Sequence, residues 1–577
     1  MRRLAYLLLF FTLLGALVAG LGYWLLDRPH GLTGGDRRLT LRLDSPLAEH
    51  DLAGGLPLPG SEPPLTLSVA YRGLRAARTD PRIRGLELYI QDAAFGLAKA
   101  QELRRQLTLL REAGKSVDCY LETAGEGSNG TLEYYLASAC GDIALAPAGE
   151  INLLGLLAQG PFLRGGLDKL KIEPSFLTAG TFKSAAEMFT ETGHSPAARL
   201  ALDELLDGFF SQIVRGIAGE RDKQEDEVRA WVDRAPLSAS EALADGLVDR
   251  LEYPDEFRDR VEEEMGDDAE SLADYAARVD RRSASGRKVA ILYALGAIYR
   301  GGSGTDPFSG ELALGATEFS RHLVRLAEDD SVAAVVLRID SPGGSALASD
   351  LILREVERLV EKKPVIVSMS DVAASGGYYI ASRATRIVAE EATITGSIGV
   401  VSGKLASGRF QKELLGVTYD PLTRGANAEL YSTLKPFDER ELAVMRRRND
   451  EVYGRFLDHG AAGRGPPRDA VEAVAGGRVW TGADALPRHL VDEIGGLDRA
   501  IELAREEAGI APDATVALTF LPRPGTLWDW LREQRRGGLA ALLQARNPLL
   551  GLSRRLLAPL PGDLSLDPEF LSLVRPE

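Results

Sequence analysis

Cysteine, histidine and surplus positive charge are all scarce in this chain. Its 577 residues include 2 Cys and 6 His. Cys119 and Cys140 match no metal-ligand spacing and no His-Glu-x-x-His occurs, so neither a metal nor another cofactor is expected. The two thiols admit two readings, a pair in an exported domain or two buried free cysteines. Acidic residues outnumber basic ones, 84 to 68, for a formal net charge of −16. A nucleic-acid partner, which needs a basic footprint, is therefore not expected. The Gly-x-Ser-x-Gly elbow is missing. So is a phosphate loop: Gly114-Lys115-Ser116 has the right ending, but Leu109 stands where the first glycine belongs.

What is present begins at the N-terminus. Met1-Arg2-Arg3 precedes an uncharged stretch from Leu4 to Leu26, long enough at helical rise to cross a bilayer core. Arg2 and Arg3 should stay cytoplasmic, which places everything after Asp27 on the other side. Tyr23 and Trp24 sit where an aromatic belt would, favouring a retained anchor. Ala16 to Gly20 is the small-residue region that a cleaved signal peptide would use.

The body is one phrase written twice. Tyr134-Tyr135-Leu136-Ala137-Ser138 recurs as Tyr378-Tyr379-Ile380-Ala381-Ser382. Leu177-Thr178-Ala179-Gly180 is echoed by Leu422-Thr423-Arg424-Gly425, and Gly246-Leu247-Val248-Asp249 by His489-Leu490-Val491-Asp492. A repeat this long means a duplicated domain. The expected organisation is an anchor (1–27), a Gly- and Pro-rich linker (28–62), a first copy (63–253), a charged connector (254–287), a second copy (288–510) and a C-terminal tail (511–577). In the second copy short apolar runs alternate with helical patterns, which predicts an α/β fold with parallel sheets covered by helices. Phe209, Phe210, Tyr453 and Phe456 recur at helical spacing and read as packing. The tail carries Trp528, Trp530 and mostly basic charges. It reads as an amphipathic helix on an anionic membrane, or as a helix packed on the domain or a partner subunit.

The copies differ where chemistry would sit. Ser341-Pro342-Gly343-Gly344-Ser345 follows an apolar strand, and paired glycines there let backbone N–H groups face a cleft, as an oxyanion hole requires. The first copy has Asp92-Ala93-Ala94-Phe95 at that place. Ala373-Ala374-Ser375-Gly376-Gly377 opens a helix, where the Gly376 N–H favours developing negative charge. Ser375 also reads as an ordinary N-cap, and Thr131 is its counterpart. A nucleophilic serine needs a base. Glu49-His50 and Asp458-His459 are adjacent pairs, but consecutive side chains diverge, so neither is a compelling partner. The alternative is a lysine kept neutral by burial. Gly180-Thr181-Phe182-Lys183-Ser184 offers one, and the second copy reads Gly425-Ala426-Asn427-Ala428 there. Each copy keeps one half of a Ser–Lys set. Ser432-Thr433-Leu434-Lys435 fits Ser-x-x-Lys but lacks a companion Lys-Thr-Gly and is discounted.

With these motifs the chain resembles the signal peptide peptidase A family, also called protease IV, in its long, two-copy form. The likeness rests on Leu337 to Ser345, Asp371 to Tyr379, Thr395-Gly396-Ser397-Ile398-Gly399 and Gly180-Thr181-Phe182-Lys183. It implies tandem Clp-protease/crotonase-like domains and a serine protease with a Ser–Lys dyad. Ser375 would be the nucleophile and Lys183 the general base. Ser397 would orient the lysine, and Gly376 with one of Gly343 or Gly344 would form the oxyanion hole. The resemblance further implies a homotetramer on the bacterial cytoplasmic membrane, with extracytoplasmic catalytic domains degrading leftover signal peptides. Two other expectations compete: a crotonase-like enzyme acting on acyl-CoA, and a non-catalytic membrane scaffold.

Overall fold

The computed structural model describes residues 36–51, 65–91, 94–280, 286–305, 312–511 and 514–522. The expected anchor and most of the tail, including its tryptophans, lie outside the described residues. Among those residues no helix is long and apolar enough to cross a membrane.

The first copy is built from β1 (Arg37–Leu43), α1 (Leu67–Ala77), β2 (Ile83–Ile90), α2 (Leu97–Glu112), β3 (Ser116–Leu121), α3 (Thr131–Ala137), β4 (Asp142–Leu145), β5 (Glu173–Ala179), α4 (Pro196–Glu220), β6 (Arg250–Leu251), β7 (Asp268–Ser271) and α5 (Leu272–Asp280). Its parallel sheet runs β6-β4-β3-β2-β1-β7. The second copy contributes β8 (Lys288–Leu295), β9 (Val332–Ser341), α6 (Ala346–Val360), β10 (Val365–Ala374), α7 (Gly376–Ala381), β11 (Arg386–Ala389), β12 (Ile394–Gly396), β13 (Val400–Ala406), α8 (Glu439–Arg464), β14 (Val479–Thr481), β15 (Glu493–Ile494), α9 (Leu497–Glu507) and β16 (Ala517–Leu521). Its sheet repeats the order as β15-β11-β10-β9-β8-β16, with a branch β10-β12-β14. Strands such as Val332–Ser341 are buried almost throughout, as expected of a parallel sheet covered on both faces.

Three boundaries need correction. Residues 28–62 are not all linker, because the alternation in Arg37–Leu43 buries Leu39, Leu41 and Leu43 and makes β1 an inner strand of the first sheet. Residues 254–287 are not merely a connector. Asp268–Ser271 forms the sheet's edge, where Arg37 pairs with Asp268 at 2.9 Å and with Glu270 at 3.3 Å; charged edges of this kind hide from apolar periodicity. In the tail, Ala517–Leu521 pairs with β8 just as β7 pairs with β1.

The repeated phrase is structural. Tyr134 OH donates to Leu247 O at 2.9 Å, and Tyr378 OH to Leu490 O at 3.1 Å. Asp249 and Asp492 accept the Ile143 and Ile387 N–H groups at 2.9 and 2.7 Å. His489 stands at φ 58° where Gly246 stands at 80°, so it ends a helical turn. The echo at Leu422–Gly425 is not kept in three dimensions: β5 is a strand, while Leu422 is 90% exposed in a loop. Cys119 and Cys140 are buried and form a disulfide, with Cα atoms 6.0 Å apart, which decides between the two readings of the thiols.

The copies meet along polar and apolar contacts. Tyr71 packs into a cluster with Val289, Ile291, Leu497 and Ile501, and its OH donates to Asp498 at 2.6 Å. Strand β5 of the first copy pairs antiparallel with β13 of the second, from Ala179↔Val400 to Glu173↔Ala406.

Candidate active site

Two strand pairings bring the candidate residues together. Strand β10 pairs with β12 in the register Val372↔Ile394 to Ala374↔Gly396. The next residue on each strand is Ser375 and Ser397. Strand β13 starts just beyond Ser397, and its pairing with β5 delivers the Gly180-Thr181-Phe182-Lys183 turn from the other copy. Lys183 Nζ lies 3.2 Å from Ser375 Oγ, 2.8 Å from Ser397 Oγ and 3.0 Å from Ser397 O.

Among the described residues, no carboxylate lies beside the amine. Burial alone pulls the Lys183 pKa from the ordinary 10.5 to about 8, since desolvation penalises the ammonium. A neutral amine has two N–H groups and one lone pair. With the two hydrogens given to Ser397 O and Oγ, the lone pair faces Ser375 Oγ. That is the arrangement needed to accept a serine proton.

Ser375 is not an ordinary N-cap. It precedes α7 at φ 52°, ψ −116°, and its side chain makes no capping hydrogen bond. A non-glycine residue there is strained, at a cost of order 1–3 kcal/mol, and such residues concentrate at functional sites. In the first copy α3 starts earlier, at Thr131 itself, with Gly130 as N-cap. Thr131 therefore does not cap its helix either; its Oγ1 donates to Asn129 Oδ1 at 2.6 Å. Ser397 also has positive φ, 51°, and its N–H donates to Arg478 O at 2.7 Å.

Of the two loop glycines, Gly343 has its N–H already engaged. The Gly343 N–H donates to Ser341 Oγ at 3.2 Å, and its carbonyl accepts the Ile298 N–H at 2.7 Å. Gly344, at φ 147°, keeps its N–H near the start of α7, because a Cβ built on Gly376 would lie 3.2 Å from Gly344 N. The available N–H pair beside Ser375 is thus Gly376 and Gly344, and Gly343 serves as the close-packed residue that lets them approach: its Cβ would overlap Gly376 N. The matching turn of the first copy falls partly on Asp92 and Ala93, outside the described residues.

One contributor was missed at the sequence level. Gly476 and Gly477 take φ 67° and 84° and receive the lysine turn: Phe182 N–H donates to Gly476 O at 2.7 Å, and a Cβ on Gly477 would lie 2.5 Å from Lys183 N. The signal available in the sequence was the Gly-Gly pair ahead of β14.

The other candidates are occupied elsewhere. His50 is buried against Tyr293, 2.8 Å from Ser68 Oγ and 2.9 Å from Pro522 O. His459 faces Asp350 and Glu357, both at 3.8 Å. Lys435 pairs with Glu429 at 3.2 Å and Glu441 at 3.4 Å. Lys115 Nζ donates to the carbonyls of Asp80 and Ile83 at 3.0 and 2.7 Å, a tie between the turn before β3 and the start of β2 rather than a phosphate contact.

Comparison with known proteins adds an independent line. Residues 111–267 and 357–511 match Peptidase family S49, and each segment holds one half of the Lys183–Ser375 pair. The chain is 36% identical over 461 residues to a protein named "Serine protease SPPA, chloroplastic" of Arabidopsis thaliana, covering 78% of this chain and 67% of that one. It is 31% identical over 530 residues to "Protease 4" of Haemophilus influenzae, covering 87% and 80%. Against "Protease 4" of Salmonella typhi the figures are 29% over 487 residues, 82% and 76%.

Proposed function

This chain belongs to peptidase family S49 and is a serine protease, and from that premise we propose that it is a membrane-anchored endopeptidase working through a Ser375–Lys183 dyad on hydrophobic peptides, signal peptides among them. The observation that carries the dyad is the buried, carboxylate-free Lys183 Nζ at 3.2 Å from Ser375 Oγ.

Neutral Lys183 takes the Ser375 proton as Oγ attacks the peptide carbonyl carbon. The Gly376 and Gly344 N–H groups hold the oxyanion; losing one such donor costs about 10²–10³ in rate. The ammonium that forms has three protons for three acceptors, Ser397 O, Ser397 Oγ and Ser375 Oγ. It then gives a proton to the leaving amine, and water attacks the acyl-enzyme with Lys183 again as base. Ser397 is the residue that aims the amine throughout.

The paired sheets with an inter-copy site support a Clp-protease/crotonase-like fold. The uncharged Leu4 to Leu26 stretch behind Arg2 and Arg3 supports a single-pass anchor in the bacterial cytoplasmic membrane. The Cys119–Cys140 disulfide favours an oxidising, extracytoplasmic location for the body. Assembly as a homotetramer rests on the family resemblance.

The test is a fluorophosphonate probe with peptide turnover. Ser375→Ala should lose both labelling and turnover. Lys183→Ala should lose turnover while staying folded. Peptide hydrolysis by Lys183→Ala at the parent's rate would falsify the dyad. Accumulation of leader peptides in membranes of a Ser375→Ala strain tests the substrate class.

A further inference from the structure

A second lysine of the first copy reaches into the catalytic strands of the second. Strand β10 is not evenly paired with β9. Ile339 faces Met369, but two residues later Ser341 already faces Ala373. Opposite the single residue Asp340, β10 therefore carries Ser370, Asp371 and Val372. The bulge also changes the strand's other partner, from β11 before it to β12 after it. Bulges next to active sites re-aim a side chain, and Ser375 is the residue re-aimed here.

First-copy groups hold this bulge. Asp371 accepts the N–H groups of Gly96 and Lys99, at 3.1 and 3.0 Å, and so caps α2, whose own N-cap Gly96 has no side chain. A Cβ on Gly96 would overlap the Asp371 carboxylate, so the approach needs glycine. Lys99 Nζ then bridges Asp340 at 2.7 Å and Asp371 at 3.3 Å. Asp340 also accepts the Val372 N–H at 3.1 Å. Ser370 Oγ donates to Glu49 at 2.6 Å. The three side chains of the bridge are 11%, 18% and 16% exposed, too covered to be an incidental surface pair.

The two lysines meet opposite fates. Burial alone acts on Lys183 and pulls its pKa down to about 8, so the amine is neutral above that pH. On Lys99 burial pulls the same way, but Asp340, Asp371 and Glu49 outweigh it and hold the amine charged, with its pKa above the ordinary value. Lys99 is therefore a fixed cation and no competitor for the proton.

We propose that Lys99 is a positioning residue for the hydrolytic reaction. It clamps Asp340, three residues before Gly343, to Asp371, four residues before Ser375, and so sets the oxyanion loop and the nucleophile relative to a general base carried on its own copy. The proposal rests on the dyad reading above.

Lys99→Met, Lys99→Arg and Lys183→Ala, made in the full chain, test it together. A misplacement of about 1 Å costs about 10²-fold, so Lys99→Met should lower kcat by about that factor. KM should stay within about twofold, and the pH midpoint set by Lys183 should not move. Lys99→Arg, whose guanidinium also spans two carboxylates, should recover kcat to within about tenfold of the parent. A Lys99→Met kcat within about threefold of the parent overturns the clamp. So does a loss carried by KM, or one that Lys99→Arg leaves untouched. If Lys99→Met does not fold, Asp340→Asn decides: its amide oxygen can still accept the Val372 N–H at the Oδ1 position but offers Lys99 no charge, and an unchanged kcat overturns the proposal. Turnover by Lys183→Ala would instead sink the dyad itself, whereas a normal Lys99→Met beside a dead Lys183→Ala sinks only the clamp.

Discussion

At the scale of single residues, the site turns on where one proton sits. Below about pH 8 Lys183 holds its proton and cannot accept another. The kcat/KM profile should therefore rise with pH through a midpoint near 8 and then level, and a flat profile from pH 6 to 10 would count against Lys183 as the base. The same shift acts on stability. Below pH 8 the amine is charged in both states and the burial cost is felt in full. Between 8 and 10.5 the unfolded chain keeps a proton that the folded one has released, so stability rises with pH across that window. Lys183→Met should abolish activity yet stabilise the fold, by up to about 3 kcal/mol at neutral pH. Gly477 makes a different demand. Its φ of 84° and the 2.5 Å approach to Lys183 N leave no room for a methyl group. Gly477→Ala should reduce kcat by about 10²-fold with a smaller effect on stability, read by kinetics beside a thermal melt.

Ser375 and Gly376 were legible because the first copy has no Ser-Gly-Gly at that place, and Lys183 because it offers a base that the second copy lacks, although the Leu422–Gly425 echo that aligned it is not kept in the fold; Ser397 was legible only through the family resemblance. The choice of Gly344 over Gly343 was not legible, since it depends on the Ser341 hydroxyl having already taken the Gly343 N–H. Gly477 was hidden for a similar reason: its partner lies on the other copy, and one turn glycine looks like another until the docking is known.

At the scale of elements, legibility followed apolar content. The buried strands Val332–Ser341 and Val365–Ala374 announce themselves as Val/Ile-rich runs. Asp268–Ser271 does not, because it is an edge strand made of charges and its pairing comes from β1 rather than from its own pattern. The β5–β13 pair matters most for the site, as it is a separate two-stranded sheet whose task is to carry Lys183 across the copies. Gly403 on β13 faces Phe176 on β5, and a side chain at Gly403 would overlap the phenyl ring. Phe176 is itself stacked on Phe189 at 5.6 Å and has little freedom to move. Gly403→Val should part the two strands, withdraw Lys183 from Ser375 and lower kcat by about 10²-fold or more. The main sheets do not depend on this pair, so near-native circular dichroism is expected alongside. Full activity would mean that Lys183 is held by the Gly476-Gly477 turn alone.

At the scale of the whole molecule, the catalytic site exists because two copies are locked face to face, and the lock is itself ionic. Arg338, on the second copy, is 1% exposed; Glu49, on the first, is 5% exposed. Arg338 Nε donates to Glu49 at 2.7 Å, while its other nitrogens donate to Ser368 at 2.8 Å and Ser370 at 3.2 Å. Burial pushes the Glu49 carboxyl up, but Arg338 and Lys99 more than offset it, leaving the pKa below the ordinary value and the group ionised. A buried pair of this kind is a poor source of net stability compared with apolar packing, yet removing one partner leaves the other charge stranded, typically at a loss of 3–5 kcal/mol. Arg338→Met should therefore destabilise the chain by roughly that amount in chemical denaturation. Arg338→Met combined with Glu49→Gln removes the Glu49 charge but still leaves the buried Glu102, 3.7 Å from Arg338 in the parent, without that cation, so it should recover part of the loss rather than all of it. The double-mutant cycle is the decisive measurement, because additive effects would mean that the two side chains do not act as a unit. Coupling is expected, and it should extend to turnover: Glu49 also accepts from Ser370 in the β10 bulge, so loosening this pair frees the strand that ends in Ser375.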